Sequence, residues 1–378
     1  MEGYVLSSQD IVSLIDHGSI FSENPIDLKN RIKPASFEPT FGSEAFEITA
    51  AFLPEIGKNI EEQIERRLVK KINLRNSYRL EVGKAYVIPL QEGFDLSGEK
   101  EIHAKCNPRS RCGRIDFFLR LLVDGVDSYD KIPLNYVGKA YVLAIPHSFP
   151  IIAYTGFPGV QLRFMIGNPE LSDSEIKKSI NGKDSLELFR QNGSKIFSPD
   201  VGIKNGLINT VNLTPGSLLG FKAKKFEGTN ESWPAIDLKK IGWHDVNLFF
   251  IPLTESINGS LILEPDTFYL FQTLQVIKVP DNFATDIVPI DATLGEYRSH
   301  YAGFVDPGFN GTLTLEVRVF SRTELRHNQA VCRIVCEKLN KFTNIKYSEI
   351  NSAHFNQNWP NPGAFFNMNT IKELINQN

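Results

Sequence analysis

Two short segments carry residue types that could do chemistry, and roughly two hundred residues separate them. The first, "NPRSRCGRIDFF" (107–118), crowds Arg109, Ser110, Arg111 and Arg114 beside a Pro and a Gly. Arginine forks grip phosphate oxygens bidentately, and a hydroxyl and loop N–H groups add neutral donors. A nucleoside triphosphate would use all of them, although a bare arginine cluster is more often a solvated basic loop. The second, "HYAGFVDPGFNGTLTLEV" (300–317), sets the turn Asp306-Pro307-Gly308 ahead of an alternating run. Pro presets φ there and Gly supplies a positive φ. Leu313, Leu315 and Val317 fall on one face, with Thr312, Thr314 and Glu316 on the other. Glu316 is then either a solvated edge charge or a general base.

The elements that must position these residues are mostly strands. Pro, Gly and Asn punctuate short alternating runs rich in Val, Ile, Phe and Tyr, an all-β pattern. Helices are expected in "SSQDIVSLIDHGSI", in "IGKNIEEQIERRLVKKI", in "SDSEIKKSI" with "DSLELFRQ", and in "NTIKELINQ" at the end. The strand pattern also repeats. "LEVGKAYVIPLQEGFDL" (80–96) parallels "LEPDTFYLFQTLQVIKV" (263–279), and matching segments follow each in the same order. Two β-domains are therefore expected, 1–180 and 181–378, joined in the polar stretch around Asn168–Ser198.

The repeats differ where the chemistry lies. In place of the arginine cluster, the second has "VPIDATLGEY" (288–297), whose Asp291 and Glu296 would repel a polyphosphate. Five residues after Gly311 comes Glu316, whereas five after Gly138 comes Leu143. One repeat has the phosphate grip and the other the carboxylate.

Composition bounds the function. The chain has 378 residues, 42% apolar and 22% charged, with a formal net charge of −3. That balance argues against a broad nucleic-acid surface. No apolar run approaches the roughly 18–20 residues that span a bilayer, and "MEGYVLSSQD" has no signal-peptide pattern. A cytoplasmic protein with no membrane partner is expected. Cys106, Cys112, Cys332 and Cys336 read as buried reduced thiols. His103 stands near the first two, but the spacings are not those of a zinc site and no zinc-deaminase signature is present. His147, His244 and His327 lack ligand spacing. The aromatics Trp243, Phe249 and Phe250 read as core.

"VDPGFNGTLTLE" resembles the signature of the dCTP deaminase family, relatives of the trimeric dUTPases, and "PRSRCGR" is similar to that family's phosphate motif. The opening "IVSLIDHGSI…IKPASFEPTFG" resembles its N-terminal helix and first strand. The likeness covers most of the chain and is nearest the long tandem-domain form. It implies a mainly β chain of two tandem dUTPase-like distorted β-barrels (β-clips) with a few short helices. The implied activity is hydrolytic deamination of dCTP to dUTP and ammonia, supplying dUTP for dUMP and dTTP synthesis. No catalytic zinc is implied, and Mg²⁺ would be bound through the triphosphate. Glu316 would be the general base, Asp306 would contact the deoxyribose, and Ala302 would line the base pocket. Arg109, Ser110 and Arg114 match the phosphate positions, and Arg111 stands where the family usually has a second Ser. Tyr347, His354 and Asn358 fall near a Tyr, a Lys and a Gln that fold over the nucleotide, although only Tyr347 keeps its residue type; an ordinary surface tail is the equal alternative.

In single-domain relatives the arginine motif and the glutamate come from different subunits. One composite site per domain pair is thus expected, with a dead reciprocal site at Leu143 and 288–297. Whether the pair lies in one chain or two stays open, as does a dimer or trimer and inhibition by dTTP. Two alternatives remain: a dUTP diphosphatase or bifunctional enzyme using Asp306, and a silent nucleotide-binding regulator.

Overall fold

A computed structural model describes residues 3–22, 28–99, 101–180, 184–197, 200–291, 293, 298–299, 302–350 and 356–376. The chain is mainly β, as expected. In the first half, one sheet runs in the order Leu68–Asn73, Glu44–Ile48, Ala85–Asp95, Val137–Pro146, Phe117–Val123. A second sheet runs Tyr4–Val5, Val160–Ile166, Ile102–Pro108, Lys131–Ile132. The second half is built alike. Phe268–Lys278 is flanked by Asn310–Arg318 and by Gly220–Ala223, while Phe283–Pro289 pairs with Ala330–Lys338.

The register of the long pairs matches between halves. Phe94 faces Gly138 and Val87 faces Leu143; Ile277 faces Gly311 and Leu270 faces Glu316. Both ladders also slip at matching points, between Pro89 and Gly93 and between Gln272 and Val276. A bulge shifts which side chains face inward beyond it, so a shared bulge keeps the two carboxyl-end strands in equivalent positions. Leu143 and Glu316 therefore occupy corresponding places.

The halves are not separate bodies. The larger core holds Phe149 and Ile151 of the first half together with Phe221, Phe249, Phe250, Phe268, Phe365 and Phe366 of the second. Phe149 meets Phe249 and Phe250 edge-on at 5.3 and 5.1 Å between centroids. Ile236–Asp237 adds in parallel to Ile151–Ala153. Buried charge crosses the same seam: Arg163 donates to Asp286 and Glu337, and Lys105 to Asp286.

Three local expectations need correction. "IGKNIEEQIERRLVKKI" is helical only at Ile60–Glu65; Leu68–Asn73 is instead a strand hydrogen-bonded to Glu44–Ile48. "DSLELFRQ" contributes the strand Glu187–Phe189, paired with Phe268–Lys278 and burying Leu188 between less buried neighbours. In both, an unpaired sheet edge supplied backbone partners that outweighed modest helix propensity. Trp243 is 68% exposed, although Phe249 and Phe250 are core. The other helices form at Ser8–Asp16, Asp173–Ser179 and Met368–Asn376, the first two started by capping boxes at Ser7 and Ser172. Among the described residues no helix is long and apolar enough to cross a membrane.

Candidate active site

The arginine motif folds as a single helical turn, Ser110–Gly113, with Arg109 at its N-cap. It follows the strand Ile102–Pro108, and the buried Cys112 anchors it to the core. The turn abuts the strand Asn310–Arg318 of the other half. A Cβ built on Gly113 would lie 2.3 Å from both carboxylate oxygens of Glu316, so only glycine lets the backbone approach this closely. The motifs separated in the sequence thus meet within one chain.

Glu316 is 2% exposed, and its Oε2 accepts the Ala302 N–H at 3.1 Å. Arg114, 5% exposed, stands beside it. Burial pulls the Arg114 guanidinium down to about 10, against the pull of the Glu316 charge, so it remains a cation at neutral pH. Both line a cavity of about 60 Å³ with Ser110, Gln161, Ala302, Asp306, Phe309, Thr314, Tyr347 and Gln357. That volume holds a few waters next to the carboxylate.

The Asp306–Phe309 turn forms as the sequence requires. Gly308 has φ +82°, and the Phe309 N–H closes the turn on the Asp306 carbonyl at 3.3 Å. Burial, with the neighbouring Glu38 charge, pushes the Asp306 carboxyl up to about 7; Lys33 and the Ala35 backbone act in the opposite direction. Glu38 also holds Arg109, whose Nε lies 2.8 Å from its Oε1. Arg109 and Arg111 do not line the cavity. Burial, then the charge of Arg109, lowers the Arg111 guanidinium.

The C-terminal segment is anchored rather than loose. Tyr347 is buried and meets the Phe309 ring edge-on at 5.7 Å. His354 lies outside the described residues, and Asn358 is exposed and away from the cavity. Its neighbour Gln357 takes the inward place. Gln357 Nε2 donates to the Thr312 carbonyl at 2.6 Å and to Thr314 Oγ1 at 3.1 Å, while its Oε1 accepts from Arg114 at 3.2 Å. The Thr312 N–H donates to the Gln357 carbonyl at 2.8 Å, and Arg114 also donates to the Asn361 carbonyl at 3.0 Å. Glu38, Gln161 and Gln357 were missed in the sequence. Glu38 had a signal, since it sits inside the "PASFEPTFG" stretch already singled out. The inward residue of an irregular tail has no such periodicity to betray it.

At the corresponding place in the first half, Leu143 is fully buried. The hairpin there is covered by residues 52–61: Tyr129 donates to the Phe52 carbonyl at 2.8 Å, Tyr141 to Glu61 at 3.0 Å, and the Ile60 N–H to Asp124 at 2.6 Å. Of the opposing stretch 288–297, residues 292 and 294–297 lie outside the described set. Burial pushes the Cys112, Cys332 and Cys336 thiols up to about 12 and Cys106 well above its usual value.

Comparison with known proteins gives two family matches. The 2'-deoxycytidine 5'-triphosphate deaminase (DCD) N-terminal domain matches residues 2–168, and the DCD C-terminal domain matches residues 183–359. A "dCTP deaminase, dUMP-forming" from Methanosphaera stadtmanae is 29% identical over 99 residues, 25% of this chain and 50% of that protein. One of the same description from Rhodococcus opacus is 40% identical over 68 residues, 17% of this chain and 36% of that protein. These alignments span half or less of the relatives' own length. A crystal structure of 2'-deoxycytidine 5'-triphosphate deaminase from Agrobacterium tumefaciens superposes with a TM-score of 0.81 at 30% identity, covering 91% of this chain and 100% of that one.

Proposed function

The chain belongs to the dCTP deaminase family, and from that premise we propose that it hydrolyses dCTP to dUTP and ammonia at the Glu316–Arg114 site. The observation that carries the reading is the meeting of buried Glu316 with the arginine turn at a small cavity that Glu316 and Arg114 both line. Low dielectric strengthens every charge interaction there.

Glu316 takes a proton from a water in the cavity as the water oxygen attacks C4 of cytosine. The π pair of the C4=N3 bond moves to N3, which receives that proton from Glu316. Glu316 then takes the proton of the new C4 hydroxyl as the C4=O bond forms, and delivers it to the exocyclic N4 as the C4–N4 bond breaks and ammonia leaves. The Arg114 cation stands beside Glu316, and the two charges attract. The Ala302 N–H donates to Glu316 Oε2 and helps fix the carboxylate. Ser110, Arg109 and Arg111 form the entrance for the triphosphate, which would bring its own Mg²⁺ as part of the substrate. Asp306 and Phe309 would pack against the sugar, with Tyr347 closing over them.

A second reading, release of pyrophosphate from the same nucleotide, is favoured by Asp306. Its proton affinity near neutrality suits a general base, and the curated relatives above are described as dUMP-forming. Incubation with dCTP separates the outcomes by product: dUTP with ammonia, or dUMP with ammonia and pyrophosphate. Recovery of unchanged dCTP, tightly bound, would sink both and favour a silent binder.

A further inference from the structure

Glu316 and Arg318 are two apart on one strand and so face the same way. Glu316 meets Gly113, and Arg318 meets Asp116, one turn further along the arginine motif. Asp116 is fully buried at φ +55°, and its Oδ2 accepts from both Arg318 Nη2 and the Ser148 hydroxyl. The same Arg318 nitrogen reaches Ser148 Oγ at 3.3 Å. The Asp116 carbonyl accepts the His147 N–H at 3.1 Å, so backbone as well as side chain is held. The corresponding strand of the first half carries Leu143 and Ile145, so neither charge is needed for this strand to fold.

We infer that Asp116, Arg318 and Ser148 form a latch that sets the position of the Glu316 carboxylate against the arginine turn, making them positioning residues for the reaction proposed above. The catalytic base and the phosphate grip stand on opposite sides of a seam whose large contacts are aromatic and aliphatic. Such contacts are non-directional and tolerate sliding. A buried ion pair contributes little net stability over a hydrophobic replacement, but it mates in only one geometry. Placed two residues from Glu316, it adds a directional restraint right beside the base; the Arg163 cluster and the Ile236–Asp237 pairing also cross the seam, but away from Glu316 in sequence. Misplacing a reacting group by about 1 Å costs on the order of 10²-fold in rate.

The test is Arg318→Met beside Arg318→Lys, with wild-type turnover of dCTP measured first. The latch requires Arg318→Met to lose about tenfold or more in kcat while KM for dCTP stays within about threefold, since the phosphate grip lies on the other half. Arg318→Lys should recover most of that loss. If Arg318→Met does not fold, Ser148→Ala removes one shared hydrogen bond and should give a smaller loss of the same kind. Unchanged kcat in a folded Arg318→Met, or equal losses in the Met and Lys variants, would overturn the latch. A crystal structure of Arg318→Met decides independently of turnover: Glu316 should leave its place against Gly113 and lose the Ala302 N–H, and an unmoved carboxylate refutes the inference. An inactive wild type would count against the deaminase reading alone.

Discussion

Glu316 is buried on a strand that, in its first-half counterpart, is content with leucine. Its value is therefore chemical. Glu316→Gln keeps the shape and the Ala302 hydrogen bond but cannot take a proton, and kcat should fall by about 10²–10⁴ with nucleotide binding retained; rapid quench with labelled dCTP reads it. Gly113→Ala should be nearly as damaging, because the new Cβ would occupy the space of both carboxylate oxygens. Asp306 makes a different test. Its carboxyl is pushed up to about 7 in the fold from an ordinary value of 3.8, so its contribution to stability is fully present below about pH 4 and is lost as pH rises through about 7. Asp306→Asn removes the ionising group. The variant should melt above wild type at pH 8, with the difference closing near pH 4. A constant difference across that range would mean that packing, not ionisation, governs the site.

At the scale of elements, the sheet strands and the D-P-G turn were legible because alternation and turn chemistry are local. The charged stretch after Ile60 was misread because Leu68–Asn73 takes its partners from Glu44–Ile48, a pairing invisible in the window itself. The same limit hid Gln357 behind Asn358. One residue of phase in a segment without helix or strand period decides which side chain enters the cavity. The tail therefore deserves its own experiment. Gln357 satisfies Arg114, the Thr312 carbonyl and the Thr314 hydroxyl at once. Gln357→Ala leaves buried polar groups short of partners, at about 1–3 kcal/mol. Urea unfolding should show a loss of that size, and kcat/KM should fall about tenfold as Arg114 loses a restraint. Wild-type stability in this variant would mean that the tail detaches at little cost.

For the whole molecule, the question is how many sites a chain carries and whether it needs a second chain to make one. The arginine turn and the carboxylate strand meet inside a single chain, across a seam that shares one hydrophobic core and two separate sets of buried charges. The reciprocal place has the fully buried Leu143 where the base would be, and residues 52–61 bond to Tyr129 and Tyr141 of the same hairpin. Two outcomes follow from this asymmetry. Calorimetric titration should give one dCTP per chain; two would mean that the leucine-bearing position still binds nucleotide. Mixing Arg114→Ala with Glu316→Gln, after partial unfolding and refolding together, should restore no activity, because neither chain then contains a complete pair. Were the site assembled between chains, mixed oligomers would regain an intact site and activity would rise with the mixing ratio. The contrast follows from the division of residues between the halves: the arginine turn lies in the first and Glu316 on a strand of the second, so their meeting makes one complete pair.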